Sequence, residues 1–360
     1  MKKVVRANKK ISEVCCPGEN SGKSRSCCCK SVPEAVEVSA ELSFKDVAGS
    51  WKARWGINRM NYKVDPGLYY VGHPDANSPV LVTANYKMSF DSLRKELAGI
   101  SAWILVLDTK GINVWCAAGK GTFGTAELIN RIEKTCLSEV VAHRTVILPQ
   151  LGAAGVSAHA VRKESGFQVV YGPVRAKDVP IFLKNGMKAN REMRMVRFNL
   201  KDRAVLTPVE IVGAIKPSLI LFGIMFLLNL TGIFEFTGTD VYSYIGAVVA
   251  GCVLTPILLP WIPGKAFSFK GWLLGLFWAA GVIKINGFFG GADYGVLAGI
   301  AYLLILPSVS AYFAMNFTGC STYTSYSGVI KEMKAAIPLI AVSVSLGIIL
   351  LFMGNLLPSS

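Results

Sequence analysis

Apolar and polar positions divide the chain near residue 210. Beyond that point five apolar stretches, near 217–234, 241–261, 272–289, 294–317 and 335–357, alternate with short polar connections. Each is long enough to cross a hydrocarbon core of roughly 30 Å, which takes about 20 helical residues. Pro256, Pro307 and Pro338 fall inside three of them, where neighbouring helices re-satisfy the freed backbone groups. Lys284 and Asn286 interrupt the third, "WLLGLFWAAGVIKINGFF". A cation at depth is costly, so Lys284 either snorkels to the interface on its long stem or has a function of its own.

Ahead of residue 210 the pattern changes to short apolar runs separated by amphipathic segments. "PVLVTANY", "AWILVLDT", "RTVILPQL" and "FQVVYGPV" read as buried strands. "FDSLRKELAG", "TAELINRIEKT", "VSAHAVRKES" and "DVPIFLKNG" read as helices, with Asp91, Thr125, Ser157 and Asp178 at the N-caps and Gly99, Gly166 and Gly186 at the C-caps. The alternation predicts an α/β class: a doubly wound, Rossmann-like parallel sheet followed by an all-α membrane domain of five helices. The expected boundaries are a Cys-, Lys- and Ser-rich disordered tail over 1–42, a compact domain over 43–200, a linker over 201–216 and the transmembrane part over 217–357. Ligands of such sheets bind beyond the carboxyl ends of the strands. The loops expected there, "DTKGINVWCAAGKGTFGT", "PQLGAAGVS" and "YGPVRAKD", are rich in small residues and poor in charge, which lets a large flat ligand approach the backbone closely.

Composition agrees with a membrane protein, since 52% of residues are hydrophobic. The net charge of +15 is largely juxtamembrane lysine and arginine suited to anionic lipid; no nucleic-acid partner is expected, because the basic and aromatic residues form no recognisable binding motif. Lys265 and Lys270 lie between the second and third spans and Lys331 and Lys334 between the fourth and fifth, whereas the other connections carry only Glu235, Asp240 and Asp293. The positive-inside rule then puts the N-terminal domain in the cytoplasm and the C-terminus outside, in a multi-pass protein of the cytoplasmic membrane. "MKKVVRANKKISEVCC" lacks the apolar run of a cleavable signal. Cys15, Cys16, Cys27, Cys28 and Cys29 have no C-x-x-C spacing, which leaves a plain polar leader or a loose thiol cluster for a soft metal.

The chemistry of greatest interest is in "NVWCAAGKGTFGT", residues 113–125. A P-loop is excluded, because Gly121 rather than a hydroxyl residue follows Lys120. A thioredoxin-like centre requires a second nearby cysteine. A Cys–His pair with His73, His143 or His159 has no supporting signature, and the residues alone favour a buried structural cysteine at position 116. Between the fourth and fifth spans, the hydroxyl-rich "MNFTGCSTYTSYSGVIKEMK" is either a polar connector or a cytoplasmic segment that helps hold a ligand.

"NVWCAAGK", together with "MNYKVDPGLYYVGHPDANSPVLVTANYKMSFDSLR" upstream and five spans downstream, resembles the HgcA family, the membrane corrinoid proteins of microbial mercury methylation. The soluble part also resembles the corrinoid-binding domain of the corrinoid iron-sulfur protein large subunit, which lacks a cysteine at this position. The resemblance covers roughly residues 40–357 and excludes the tail. It implies a cobalamin-type corrinoid, with Asn113, Val114, Trp115, Cys116, Ala117, Ala118, Gly119 and Lys120 forming a short helix under its lower face and Cys116 as axial ligand to cobalt. Thr122, Gly152, Ala153, Gly155, Gly172 and Pro173 are the implied surroundings. A thiolate is a soft, strongly donating ligand, and donation trans to a methyl group weakens the cobalt–carbon bond. The implied reaction passes a methyl group from methyl-cobalt to Hg(II), giving methylmercury. The implied partners are a ferredoxin-like iron-sulfur protein, HgcB, as electron donor and a methyltetrahydrofolate-linked methyl donor. A D-x-H-x-x-G motif for histidine ligation is absent, since none of the three histidines has aspartate two residues before it. A corrinoid methyl carrier of one-carbon metabolism is the second reading, and a non-enzymatic membrane protein that binds corrinoid or heavy metal the third.

Overall fold

Strands β1 (Val4–Arg6), β2 (Glu34–Glu37), β3 (Gly67–Val71), β4 (Val80–Ala84), β5 (Ala102–Leu107), β6 (Thr145–Leu148) and β7 (Gln168–Tyr171) form one sheet in the order β1-β2-β3-β5-β4-β6-β7. The computed structural model describes residues 4–6, 34–232, 235–289, 295–320 and 326–356. The five tail cysteines and Ser321, Thr322, Thr324 and Ser325 of the hydroxyl-rich connector lie outside the described residues. Contacts divide the chain into two compact units, Met1–Ala53 with Asn58–Val196 and Arg54–Ile57 with Arg197–Ser360.

In the first unit β5, β4, β6 and β7 are mutually parallel, as the alternating pattern predicts. The sheet as a whole is mixed, because β3 runs antiparallel to β5 and β1 antiparallel to β2. Strands β1 and β2 fall within the stretch expected to be a disordered tail. The inner strands are buried on both faces, and their side chains alternate between two cores with the period of two that a strand imposes. Val80, Val82, Leu105 and Leu107 enter one core, and Leu81, Ile104 and Val106 enter the other.

Helices α1 (Phe44–Arg54), α2 (Lys87–Arg94), α3 (Val114–Gly119), α4 (Thr125–Lys134), α5 (Leu137–Val140), α6 (Ala158–Ser165) and α7 (Val179–Lys184) complete this unit. Ser157 caps α6 through its side chain and Gly166 closes it in the left-handed conformation. Asp91 is not a cap: α2 begins four residues earlier, and the buried carboxylate pairs instead with Lys87 and Arg94 at 2.7 Å each. Gly124 occupies the N-cap position of α4, which moves Thr125 one place inward, where its hydroxyl accepts the Ser157 N–H at 2.9 Å. Asp178 occupies the N-cap position of α7 without a side-chain cap bond.

The second unit contains α8 (Leu200–Ala204), α9 (Thr207–Leu230), α10 (Gly238–Val249), α11 (Thr255–Leu258), α12 (Phe267–Asn286), α13 (Val296–Asn316) and α14 (Tyr326–Leu356). Five stretches of it are helices long and apolar enough to cross a membrane. Residues 201–216, the expected linker, carry α8 and the first turns of α9, and Lys331 and Lys334 lie inside α14. A π-helical turn, Ala250–Leu254, joins α10 to α11 just ahead of Pro256, and the Thr255 hydroxyl donates to the Ala250 carbonyl at 2.8 Å. Small residues let helices approach: a Cβ at Gly275 would stand 2.7 Å from the Pro307 backbone, and Ser310 Oγ donates to the Gly271 carbonyl at 2.7 Å. Lys270, expected in a loop, is buried in the first turn of α12, where its ammonium donates to the Leu259 carbonyl. Arg203 donates to the Ile257 carbonyl at 3.1 and 3.2 Å, so two cations cover the carboxyl end of α11, where the helix dipole favours positive charge.

Candidate corrinoid site

The site is built on the loops that leave the carboxyl ends of the parallel strands. Asn85 follows β4 directly and is buried. Its Oδ1 accepts from Thr109 N at 3.1 Å, Thr109 Oγ1 at 2.9 Å and Gly111 N at 2.9 Å, while its Nδ2 donates to Asp108 Oδ1 at 3.2 Å. One amide side chain just past β4 thereby ties down residues 108–111 of the loop after β5. Gly111 is required in that loop: its φ is +75°, and a Cβ would stand 2.9 Å from the Met60 carbonyl oxygen. Asp108 also takes Lys110 Nζ at 2.7 Å, and the Lys110 ammonium holds its carboxyl below the usual carboxylate range.

The loop delivers the chain to α3, whose six residues carry Cys116. Asn113 is the N-cap, and its Oδ1 accepts the Cys116 N–H at 2.9 Å. Val114, Ala117 and Ala118 are buried in the core, whereas Trp115, Gly119 and Lys120 are exposed and Cys116 is half-buried. The far end is closed just as firmly. Lys120 N donates to the Cys116 carbonyl at 3.1 Å, and Thr122 N and Phe123 N donate to the Ala117 carbonyl at 3.0 and 3.1 Å. Phe123 is fully buried and anchors the turn.

Two of the implied residues are explained by packing against this helix. A Cβ at Gly155 would lie 2.1 Å from the Phe123 carbonyl oxygen and 3.0 Å from Ala118 Cα, and one at Gly152 would lie 2.5 Å from the Phe123 ring. The loop after β6 therefore rests directly on α3. Gln150 N donates to the Pro173 carbonyl at 3.3 Å, which ties that loop to the one after β7.

Between these loops lies a cleft of about 360 Å³, at the lower end of the ~300–1,000 Å³ range of small-molecule pockets. Its lining includes Thr83, Ser89, Ser92, Leu148, Pro149 and Leu151, and it contains no charged side chain. Of the implied binding residues, Asn113, Val114, Trp115, Gly172 and Pro173 line the cleft. Cys116, Ala117, Ala118, Gly119, Lys120, Thr122, Gly152, Ala153 and Gly155 do not; they form the helix beside it and the loops beneath that helix. Beside the cleft, the buried Gln150 Oε1 has no hydrogen-bond partner among the described residues. None of His73, His143 and His159 lines the cleft, and His143 Nε2 is engaged with the Ser78 carbonyl at 3.0 Å.

Sequence reading missed Asn85 and the α2 hydroxyls Ser89 and Ser92. The available signal was a polar Asn immediately after the buried run of β4, at the strand end where ligands gather.

Residues 57–183 match a family described as CdhD, the CO dehydrogenase/acetyl-CoA synthase delta subunit. The chain is similar to the acetyl-CoA decarbonylase/synthase complex subunit gamma of Methanopyrus kandleri, 36% identical over 128 residues, which is 35% of this chain and 27% of that one. It is 33% identical over 129 residues to the same subunit of Methanocaldococcus jannaschii, 35% of this chain and 26% of that one. Against subunit gamma 2 of Methanosarcina thermophila the identity is 36% over 126 residues, 34% of this chain and 26% of that one. The chain thus spans about a quarter of the length of these curated relatives. The family match runs from ahead of β3 to α7, so the unit bearing Cys116 and the cleft is similar to a subunit of the CO dehydrogenase/acetyl-CoA synthase system, and the match ends before the long apolar helices begin.

Proposed function

We propose that this chain is a membrane-anchored, corrinoid-dependent methyltransferase that gives a methyl group to inorganic Hg(II). The observation that supports it most is Cys116 on a doubly anchored helix whose first turn lines a charge-free cleft, in a chain that continues into five long apolar helices. A cobalamin-type corrinoid held there would supply the methyl-transfer chemistry.

The residues present fit such a group. Its periphery is a set of neutral amides, which suits a lining of hydroxyl, amide and apolar groups better than one of charges. Cys116, on the helix beside the cleft, is the residue that would hold the cobalt, through its sulfur. The Cys116 N–H on the Asn113 side chain and the Cys116 carbonyl on the Lys120 N–H together fix the backbone that carries the sulfur. Trp115, half-exposed on the same turn, covers the cleft against water.

The soluble unit faces the cytoplasm in this reading, with Lys265, Lys331 and Lys334 on the same side of the bilayer and the C-terminus outside. Electrons and methyl groups come from beyond the chain, from a ferredoxin-like iron-sulfur protein of the HgcB type and a methyltetrahydrofolate-linked donor.

A corrinoid methyl carrier of one-carbon metabolism is the second reading, favoured by the names of the relatives. Membranes containing this chain, supplied with the iron-sulfur partner, a methyl donor and Hg(II), separate the two. Methylmercury is the expected product; methyl exchange with the folate in the absence of methylmercury transfers the assignment to the carrier.

A further inference from the structure

Helix α1 is amphipathic in the reverse of the usual sense. Its inner face is occupied by polar anchoring. Asp46 takes Lys87 Nζ at 2.6 Å and Arg94 Nη2 at 2.8 Å, and its carbonyl accepts the Tyr62 hydroxyl at 3.1 Å. A Cβ at Gly49 would stand 2.7 Å from the Tyr62 ring, so the helix sits hard against the domain, and Ala53 is fully buried. The outer face carries Phe44, Val47 and Trp51, which are 86%, 42% and 63% exposed. Their i, i+3, i+7 spacing aligns them in one stripe. Lys45 and Lys52 flank that stripe on one side and Arg54 on the other. Asp46, the one acid of the helix, is spent on the inner face.

We propose that α1 is an interfacial helix that lies on an anionic lipid surface and seats its Phe44–Val47–Trp51 stripe at the headgroup boundary. An apolar stripe containing Trp and Phe, bordered by cations and free of outward acids, is the composition of a helix lying in the plane of a membrane interface. Charge complementarity favours anionic headgroups, which attract the flanking lysines and arginine. The same chain has five helices long and apolar enough to cross a membrane, so the proposal calls on no partner other than a bilayer. The ion pairs to Lys87 and Arg94 then act as the mount that keeps the stripe turned outward. This inference is independent of the identity of the cofactor or methyl acceptor.

The test uses the full chain in nanodiscs of phosphatidylcholine and phosphatidylglycerol whose acyl chains are either brominated or unmodified. Subtracting the emission of Trp51→Phe from that of the wild type isolates Trp51, and the substitution at an exposed position leaves the fold intact. The Trp51 emission is expected to be lost in the brominated discs. Emission equal in the two kinds of disc overturns the proposal, as does emission that changes only when a soluble acidic protein is added, which would make the stripe a protein-docking face.

Discussion

Asn113 Oδ1 accepts the backbone N–H of Cys116 at 2.9 Å, and Asn113 itself lines the cleft. The residue that starts the helix is therefore also part of the ligand wall, and the position of the thiol and the shape of the wall are set together. Asn113→Ala removes the cap and costs about 1 kcal/mol of local stability. The Cys116 amide is expected to exchange its hydrogen faster in Asn113→Ala and at nearly the wild-type rate in Asn113→Asp, which keeps an acceptor. Equal exchange in all three proteins would contradict the capping role.

Asn85 carries more of the site than any residue of α3. Replacing it with leucine strands the buried N–H groups of Thr109 and Gly111, each costing about 1–3 kcal/mol when unsatisfied. Asn85→Leu is expected to lower the thermal midpoint and to weaken cobalamin binding by the purified chain. Binding unchanged alongside lowered stability would show that the 108–113 loop keeps its shape without Asn85.

Gly155 has no room for a side chain, since a Cβ would fall 2.1 Å from the Phe123 carbonyl oxygen. Gly155→Ala must push the loop after β6 away from α3, an overpacking cost of about 1–3 kcal/mol. Gly119→Ala is the control on the same helix, because nothing lies within 4 Å of its added Cβ. Denaturant midpoints are expected to fall for the first variant and to stay level or rise for the second.

Acid weakens the mounting of α1 through Asp46. Burial alone would raise its pKa, but hydrogen bonds from Lys87 and Ser43 outweigh burial and hold the carboxyl far below the usual range. A carboxylate depressed in the folded state contributes stability that is complete above its unfolded pKa of about 3.9 and is lost as the pH falls toward the folded value. The stability gap between wild type and Asp46→Asn is therefore expected to be constant near neutrality and to shrink below about pH 4. A gap independent of pH in that range would remove Asp46 from the acid response.

The sequence announced what depends on local pattern. Strands β4 to β7 are short, mostly apolar runs, and each is present. Strand β3, "GLYYV", has no such contrast with its surroundings, and its antiparallel pairing with β5 is a long-range choice that periodicity does not encode. Helix α3 spans only six residues, too few for a helical repeat to show, so Cys116 drew notice through its motif alone. The role of Asn85 depends on partners 23 to 26 residues away, which become neighbours only once β4 and β5 pair.

The most direct measurement is the cobalt X-ray absorption fine structure of the full chain reconstituted with cobalamin, recorded for wild type and for Cys116→Ala. Sulfur scatters more strongly and at a longer distance than nitrogen or oxygen, so the first shell identifies the ligand without recourse to activity. A sulfur shell in the wild type that disappears in Cys116→Ala, with cobalamin still bound, is the predicted result. A first shell made only of nitrogen and oxygen in the wild type would contradict the assignment of Cys116 to cobalt.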